Sequence, residues 1–142
     1  MRPPVRVRPL RQMLIKYLIT FSVFLGIDFI WLAFIARKFY QSQIGNLMLS
    51  KPNFLAAGIF YLLFVLGLLI LVIQPALEKN SISQAITYAA LFGLVSYATY
   101  DLTNLATLKD WPLLVTVTDL IWGTFLSSSV AAVSFFIIQK IV

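Results

Sequence analysis

FLAAGIFYLLFVLGLLILVI, from Phe54 to Ile73, is an apolar stretch with no charged residue and with one polar side chain, that of Tyr61. A helix needs about 20 such residues to cross the hydrocarbon core of a bilayer. Pro52 precedes the stretch and Pro75 follows it, and proline favours the start of a helix and the region beyond its end. The sequence therefore predicts a transmembrane helix with well-marked ends.

Three further stretches have similar length and character, and they are predicted to span the membrane over about residues 14–36, 82–105 and 112–138. Ser81 is a candidate N-cap of the third span. The connecting loops are short except for residues 37–53, which have room for an interfacial helix. The sequence thus predicts an all-α, four-helix integral membrane bundle. It forms a single transmembrane domain over residues 14–142, with both termini on the same side.

Composition supports this class and excludes several functions. Hydrophobic residues make up 61% of the chain and charged residues 11%, whereas soluble domains carry about 25% charged residues. Cysteine and histidine are absent, which excludes disulfides, thiol nucleophiles, imidazole bases and His-ligated zinc or haem. We expect no cofactor and no metal centre. Nucleic acid binding is disfavoured because no aromatic or polar residues alternate with the basic ones.

The N-terminal segment, residues 1–13, is rich in arginine and contains Pro3, Pro4 and Pro9, and we expect it to be an extended basic tail. The apolar stretch that follows is too long for a signal peptide and lacks a small-residue cleavage site, so we interpret it as a retained span. When the tail is included, seven basic residues lie on the side of the termini and four on the opposite side. Basic residues are more frequent on the cytoplasmic side, so this count predicts cytoplasmic termini. Translation from Met13 would remove four arginines. Three basic residues would then lie on the side of the termini and four on the opposite side, so the count would no longer predict cytoplasmic termini.

Three of the five acidic residues, Asp28, Asp101 and Asp119, lie inside predicted spans. A charged side chain at the centre of a span costs about 2.5–3.5 kcal/mol on insertion scales. Because successive spans alternate in direction, all three carboxyl groups are expected in the half of the membrane away from the termini. We predict that they meet in a shared, partly hydrated pocket. The second span, with Tyr61 alone, is predicted to be a structural wall.

Helical spacing adds polar and aromatic residues to the same faces. The pattern Asp-x-x-Trp occurs twice, at Asp28–Trp31 and at Asp119–Trp122, and it is too short to establish an internal repeat. The candidate ligand-binding residues are Asp28, Trp31, Tyr97, Asp101, Asn104, Asp119 and Trp122. Structural roles are open as well, since Asp101 can pair with Lys109, and Asp119 can pair with Lys109 or Arg37. Trp111 is expected to be an interfacial anchor.

Three functions of different classes remain open. The first is a pocket that binds a cationic or amine-bearing small molecule, a lipid headgroup or a cation. The second is a membrane-embedded, lipid-modifying enzyme in which one Asp is the acid and another the base. The third is an accessory subunit of a membrane complex whose carboxylates pair with a partner. A homodimer is also possible, and the lipid bilayer is the one partner that the composition requires.

The runs that are most distinctive are Asp28-x-x-Trp31-Leu32, Tyr97-Ala-Thr-Tyr-Asp-Leu-Thr-Asn-Leu-Ala-Thr-Leu108, and Asp119-x-x-Trp122-Gly123. In these runs the chain resembles the predicted bacterial membrane proteins grouped as domain of unknown function 2177. The resemblance extends from Met13 to Val142. It implies a multi-pass protein of the bacterial inner membrane, and it supplies no activity because the family has none assigned.

Overall fold

The computed structural model describes residues 7–142. Within them every regular element is a helix and no strand occurs. Four long helices follow one another along the chain. The first consists of α1 (Val7–Trp31), a π-helical turn (Leu32–Ala36) and α2 (Arg37–Ile44); the second of α3 (Phe54–Leu68), a π-helical turn (Leu69–Ile73) and α4 (Gln74–Glu78); the third is α5 (Ile82–Thr107), and the fourth is α6 (Leu113–Ile141). The predicted all-α bundle is confirmed.

Three of the four long helices are long and apolar enough to cross a membrane: Pro9–Leu47, Phe54–Glu78 and Leu113–Ile141. Helix α5 has 26 residues, which is also sufficient length. Its serine, threonine and tyrosine side chains make it less apolar than the others. Helix α5 makes its largest contact with α6, so part of its polar surface is covered by protein.

The first helix is longer than predicted at both ends. It begins at Val7, so residues 7–12 are helical rather than extended, while residues 1–6 of the predicted tail lie outside the described residues. Pro9 is tolerated because it lies in the first turn, where backbone N–H groups have no helical partner. At the other end α2 directly continues the helix through the π-helical turn. Residues 37–44 of the connecting segment are thus helical, and this helix is continuous with the first span.

The second helix does not end before Pro75 as the sequence predicted. Proline cannot donate the helical hydrogen bond, and its ring collides with the carbonyl group four residues earlier. The π-helical turn Leu69–Ile73 directly precedes it, and this wider turn accommodates the proline within a continuous helix. The helix then runs on to Glu78.

The core lies between α1, α3 and α6, with Phe24, Leu68, Leu126 and Val130 among its fully buried side chains. Many large apolar side chains, such as Phe29 and Leu55, point outward and are exposed. An apolar exterior of this extent is stable when acyl chains surround it.

Helices α5 and α6 approach closely at two glycines. A Cβ atom at Gly93 would overlap the carbonyl oxygen of Gly123 and the side chain of Ser127, and a Cβ atom at Gly123 would overlap the ring of Tyr97. Small residues at such crossings let membrane helices pack backbone to backbone. The absence of a side chain at Gly123 gives Tyr97 its place against α6.

We expect Gly93→Ala to lower the free energy of unfolding by about 1–3 kcal/mol, because the added methyl group meets backbone that cannot move aside. Gly58→Ala is the matched control, since a Cβ atom there meets nothing within 4 Å. That change should be neutral or stabilising by up to about 1 kcal/mol. Unfolding in detergent micelles with increasing dodecyl sulfate, followed by circular dichroism, measures both. Equal stability of the two variants would contradict the close packing of α5 and α6.

Candidate functional site

A cavity of about 440 Å³ lies at the end of the bundle that carries the 45–53 and 108–112 connections. Every long helix contributes to its lining. The lining comprises the acidic residues Asp28, Asp101 and Asp119, the aromatic residues Trp31, Tyr40, Phe60, Tyr61, Tyr97, Tyr100, Trp111 and Trp122, and the aliphatic residues Leu32, Ile44, Met48 and Val115.

All three acidic side chains are buried, with exposed fractions of 6% for Asp28, 1% for Asp101 and 8% for Asp119. Among residues 7–142, no lysine or arginine belongs to the lining. Lys109 and Arg37, the counter-charges considered from the sequence, are exposed and lie outside the lining. The carboxyl groups thus face one cavity without a basic partner among its walls.

Two tyrosine hydroxyl groups provide hydrogen bonds in place of cations. Tyr61 Oη donates to Asp28 Oδ2 at 2.8 Å, and Tyr40 Oη donates to Asp119 Oδ1. Tyr61 comes from the second helix, so the interpretation of that helix as a structural wall is wrong. The one polar side chain between Phe54 and Ile73 is directed at a cavity carboxylate.

The π-helical turn Leu32–Ala36 explains how Tyr40 reaches the cavity. Tyr40 follows Asp28 by twelve positions, which in a regular helix would put it about 120° away around the axis. The turn takes up roughly one extra residue and reduces that angle to about 20°. Asp28 and Tyr40 therefore lie on the same side of the first helix, and Tyr40 bonds to Asp119 of α6.

Asp101 has the least satisfied carboxyl group of the three. Its Oδ1 atom is buried and has no hydrogen-bond partner among the described residues. The carboxyl group of Asp119 is close enough to interact with it directly. Two neighbouring carboxyl groups without a counter-charge either share a proton or attract a cation.

The tryptophans of the two Asp-x-x-Trp segments stack on each other. The ring centroids of Trp31 and Trp122 are 4.4 Å apart and the ring planes differ by 11°. Trp122 lies beside the Asp28 carboxyl group, although its buried Nε1 atom makes no hydrogen bond of ordinary geometry. Trp31 lies beside Tyr40, the partner of Asp119. Trp122 of the second segment therefore lies near Asp28 of the first. Trp31 of the first segment lies near the tyrosine that bonds Asp119 of the second.

Trp111 is buried inside the bundle, with 8% of its surface exposed, and is not the interfacial anchor predicted from the sequence. Its Nε1 atom donates to Thr116 Oγ1 at 3.0 Å, and Thr116 Oγ1 in turn is 3.3 Å from the backbone carbonyl oxygen of Asp101. The indole ring packs edge-on against Tyr100. These contacts fix the 108–112 connection against α5 and α6.

Six of the seven candidate residues line the cavity, and Asn104 does not. Asn104 is half-buried near the end of α5 and neighbours the Tyr100 hydroxyl group. The cavity lining also includes four polar or indole side chains that are not among the candidates: Tyr40, Tyr61, Tyr100 and Trp111. Tyr61 had a signal, because it is the only polar side chain in its predicted span, whereas regular helical spacing from Asp28 gives no signal for Tyr40.

Within the part of the chain that the structure describes, no group of three or more carboxylates converges closely enough to hold a metal ion. The arrangement is a polar, aromatic-walled cavity with acidic groups spread along it.

The profile of a family described as predicted membrane proteins, DUF2177, matches residues 13–136. The chain belongs to this family. The match includes the second and third long helices, most of the first and fourth, and every residue that lines the cavity. Comparison with curated proteins and with solved structures gives no match. Membership in DUF2177 therefore places the chain among predicted membrane proteins of unknown function.

Double-mutant cycles in this DUF2177 protein test the two tyrosine–aspartate pairs. We expect Tyr61→Phe and Asp28→Asn to show a coupling free energy of about 0.5–3 kcal/mol, because the residues share a hydrogen bond. Tyr40→Phe with Asp119→Asn should behave alike. The control cycle pairs Tyr88→Phe with Asp28→Asn; Tyr88 is an exposed α5 tyrosine outside the cavity, so its coupling should be close to zero. Equal coupling in all three cycles would refute the assigned contacts.

Proposed function

We propose that the cavity binds an organic cation, either an amine-bearing small molecule or the amine of a lipid headgroup. The observation that carries this proposal is the buried, unpartnered Oδ1 atom of Asp101 in a cavity with three carboxyl groups and, among the described residues, no basic one. A buried polar atom without a partner costs about 1–3 kcal/mol. A bound ammonium group would remove that cost by donating to Asp101 and neutralising its neighbours.

The aromatic walls support an organic cation in particular. Eight aromatic side chains line the cavity, and the faces of tryptophan and tyrosine attract cations at short range. A cluster of carboxylates with aromatic rings is the arrangement that suits amines and quaternary ammonium groups. The volume of about 440 Å³ lies within the range of about 300–1,000 Å³ typical of small-molecule sites.

A divalent metal ion is less well supported as the ligand. Calcium takes about six to eight oxygen ligands and magnesium about six. The described residues offer no group of three acidic side chains close enough for that role. The tyrosine hydroxyl groups already occupy one oxygen atom each of Asp28 and Asp119.

One observation supports the second candidate function, an enzyme that modifies a lipid. The carboxyl groups of Asp101 and Asp119 line the same cavity and are close enough to interact, and in such a pair one protonated carboxyl group can be a general acid while the other is a general base. Chemical conversion of a bound amine, detected by mass spectrometry after incubation with the purified protein, would favour the enzyme over the binding protein.

We also propose a location and an orientation. The long apolar helices fit a multi-pass membrane protein, and the excess of arginine near the N-terminus favours cytoplasmic termini in a bacterial inner membrane. The cavity would then open toward the opposite side of that membrane. Fusion of a reporter that is active only in the periplasm to the C-terminus should give no signal.

The binding proposal is tested with tetramethylammonium and ethanolamine, using tryptophan fluorescence of the purified protein as the readout. We expect Asp28→Asn and Asp101→Asn each to weaken binding at least about tenfold, because hydrogen bonds to charged groups contribute about 1.5–3 kcal/mol. Asp110→Asn is the matched control. It removes the same charge at an exposed loop position with φ of 61°, which asparagine also adopts.

Parental affinity in both cavity variants would overturn the proposal. Failure of both variants to accumulate in the membrane, while Asp110→Asn accumulates normally, would also overturn it and would make the carboxyl groups purely structural. Such an outcome would favour the accessory-subunit hypothesis if co-expression with a partner restored accumulation.

A further inference from the structure

A second hollow, the lateral groove, lies on the outer surface of the bundle between α1 and α3. Its volume is about 460 Å³, and it is lined by Leu25, Gly26, Asp28, Phe29, Leu32 and Tyr61. Three of these residues, Asp28, Leu32 and Tyr61, also line the central cavity. The hydrogen bond from Tyr61 to Asp28 therefore lies at the boundary between the groove and the cavity.

The outer part of the groove is apolar and faces the surroundings. Phe29 is 67% exposed, and Leu25 and Leu32 are also exposed. They belong to a helix that is apolar enough to cross a membrane, so acyl chains are their expected neighbours. The polar groups of the groove, Asp28 and Tyr61, are at its inner end.

Gly26 keeps the groove open. A Cβ atom at this position would meet no other atom within 4 Å, so close helix packing is not the reason for a glycine here. Any larger side chain at residue 26 would extend into the groove.

We propose that the ligand is a long-chain amine that enters from the bilayer through the lateral groove. Its ammonium group would lie against Asp28 and the buried Asp101, and its alkyl chain would lie along Leu25, Phe29 and Leu32. The inference rests on the proposed function and deepens it. Two observations carry it: the apolar groove shares Asp28, Leu32 and Tyr61 with the acidic cavity, and the unpartnered Oδ1 atom of Asp101 lies inside that cavity.

The same walls disfavour a zwitterionic phospholipid. Its phosphate group would enter beside three carboxyl groups, and the cavity lining offers no lysine or arginine to meet it. An unpaired anion among anions is repelled, and such repulsion is how binding sites reject close relatives of their ligand. The amine group is therefore expected to come without a phosphate.

The experiment uses the full chain in nanodiscs of phosphatidylglycerol, a lipid without an amine. Hexadecylamine is the long-chain probe and ethylamine the short one, with tryptophan fluorescence as the readout. Gly26→Phe should weaken hexadecylamine binding at least about tenfold by filling the groove. It should leave ethylamine binding within about twofold, since the cavity itself is unchanged. Gly26→Leu, a smaller obstruction, should give the same result in weaker form.

Gly58→Phe is the matched control, because a side chain there also meets open space and residue 58 lines neither the groove nor the cavity. It should change neither affinity. If Gly26→Phe leaves hexadecylamine binding intact while both amines bind the parent protein, lateral entry is wrong and the proposed function stands. If neither amine binds the parent protein, the proposed function itself fails. Binding of phosphatidylethanolamine as tight as that of hexadecylamine would overturn the exclusion of phosphate.

Discussion

Three carboxyl groups buried in one cavity, whose described walls hold no basic side chain, are the constraint on which the rest of the structure depends. In a medium of low dielectric such groups are costly unless hydrogen bonds or an opposite charge compensate for them. Tyr61 and Tyr40 compensate in part for Asp28 and Asp119, while Asp101 keeps an unpartnered oxygen atom. In a polar core with a purely structural role, every buried carboxyl oxygen would have a hydrogen-bond partner. Here one oxygen atom lacks a partner, and the cavity beside it has room for a ligand.

The helices reach this arrangement through local departures from regular geometry. The π-helical turn Leu32–Ala36 brings Tyr40 round to the cavity side of the first helix, and the glycines Gly93 and Gly123 let α5 approach α6 so that Tyr97 fits between them. Such turns within otherwise regular helices are frequent at functional sites. The stacked pair Trp31 and Trp122 joins α1 to α6 at the level of the carboxylates. Placement of most lining residues on helices gives the cavity largely fixed walls, and Trp111 of the 108–112 connection is held by its bond to Thr116.

The sequence predicted the membrane class, the four helices and the convergence of Asp28, Asp101 and Asp119 in one half of the bundle, because hydropathy, span length and alternating direction are properties of the chain alone. It did not predict the role of Tyr40, which depends on a π-helical turn without a sequence signature. Pro75 predicts a helix end from sequence alone. In the structure the π-helical turn before Pro75 lets the helix continue, and the sequence does not reveal that turn. Asn104 lies on the same face of α5 as Asp101 by spacing, but it does not line the cavity. It is one turn nearer the end of the helix, and its position along the helix axis also decides whether it reaches the cavity.

The chain contains no cysteine, so the convergence of the carboxyl groups can be measured with introduced thiols. Dibromobimane becomes fluorescent when it bridges two neighbouring thiols. The double variants Asp28→Cys with Asp119→Cys, and Asp101→Cys with Asp119→Cys, should both become fluorescent in membranes. Phe29→Cys with Asp119→Cys should not, because Phe29 points outward from the bundle. Bridging in the Phe29 pair alone, or in none of the three pairs, would contradict a shared acidic cavity.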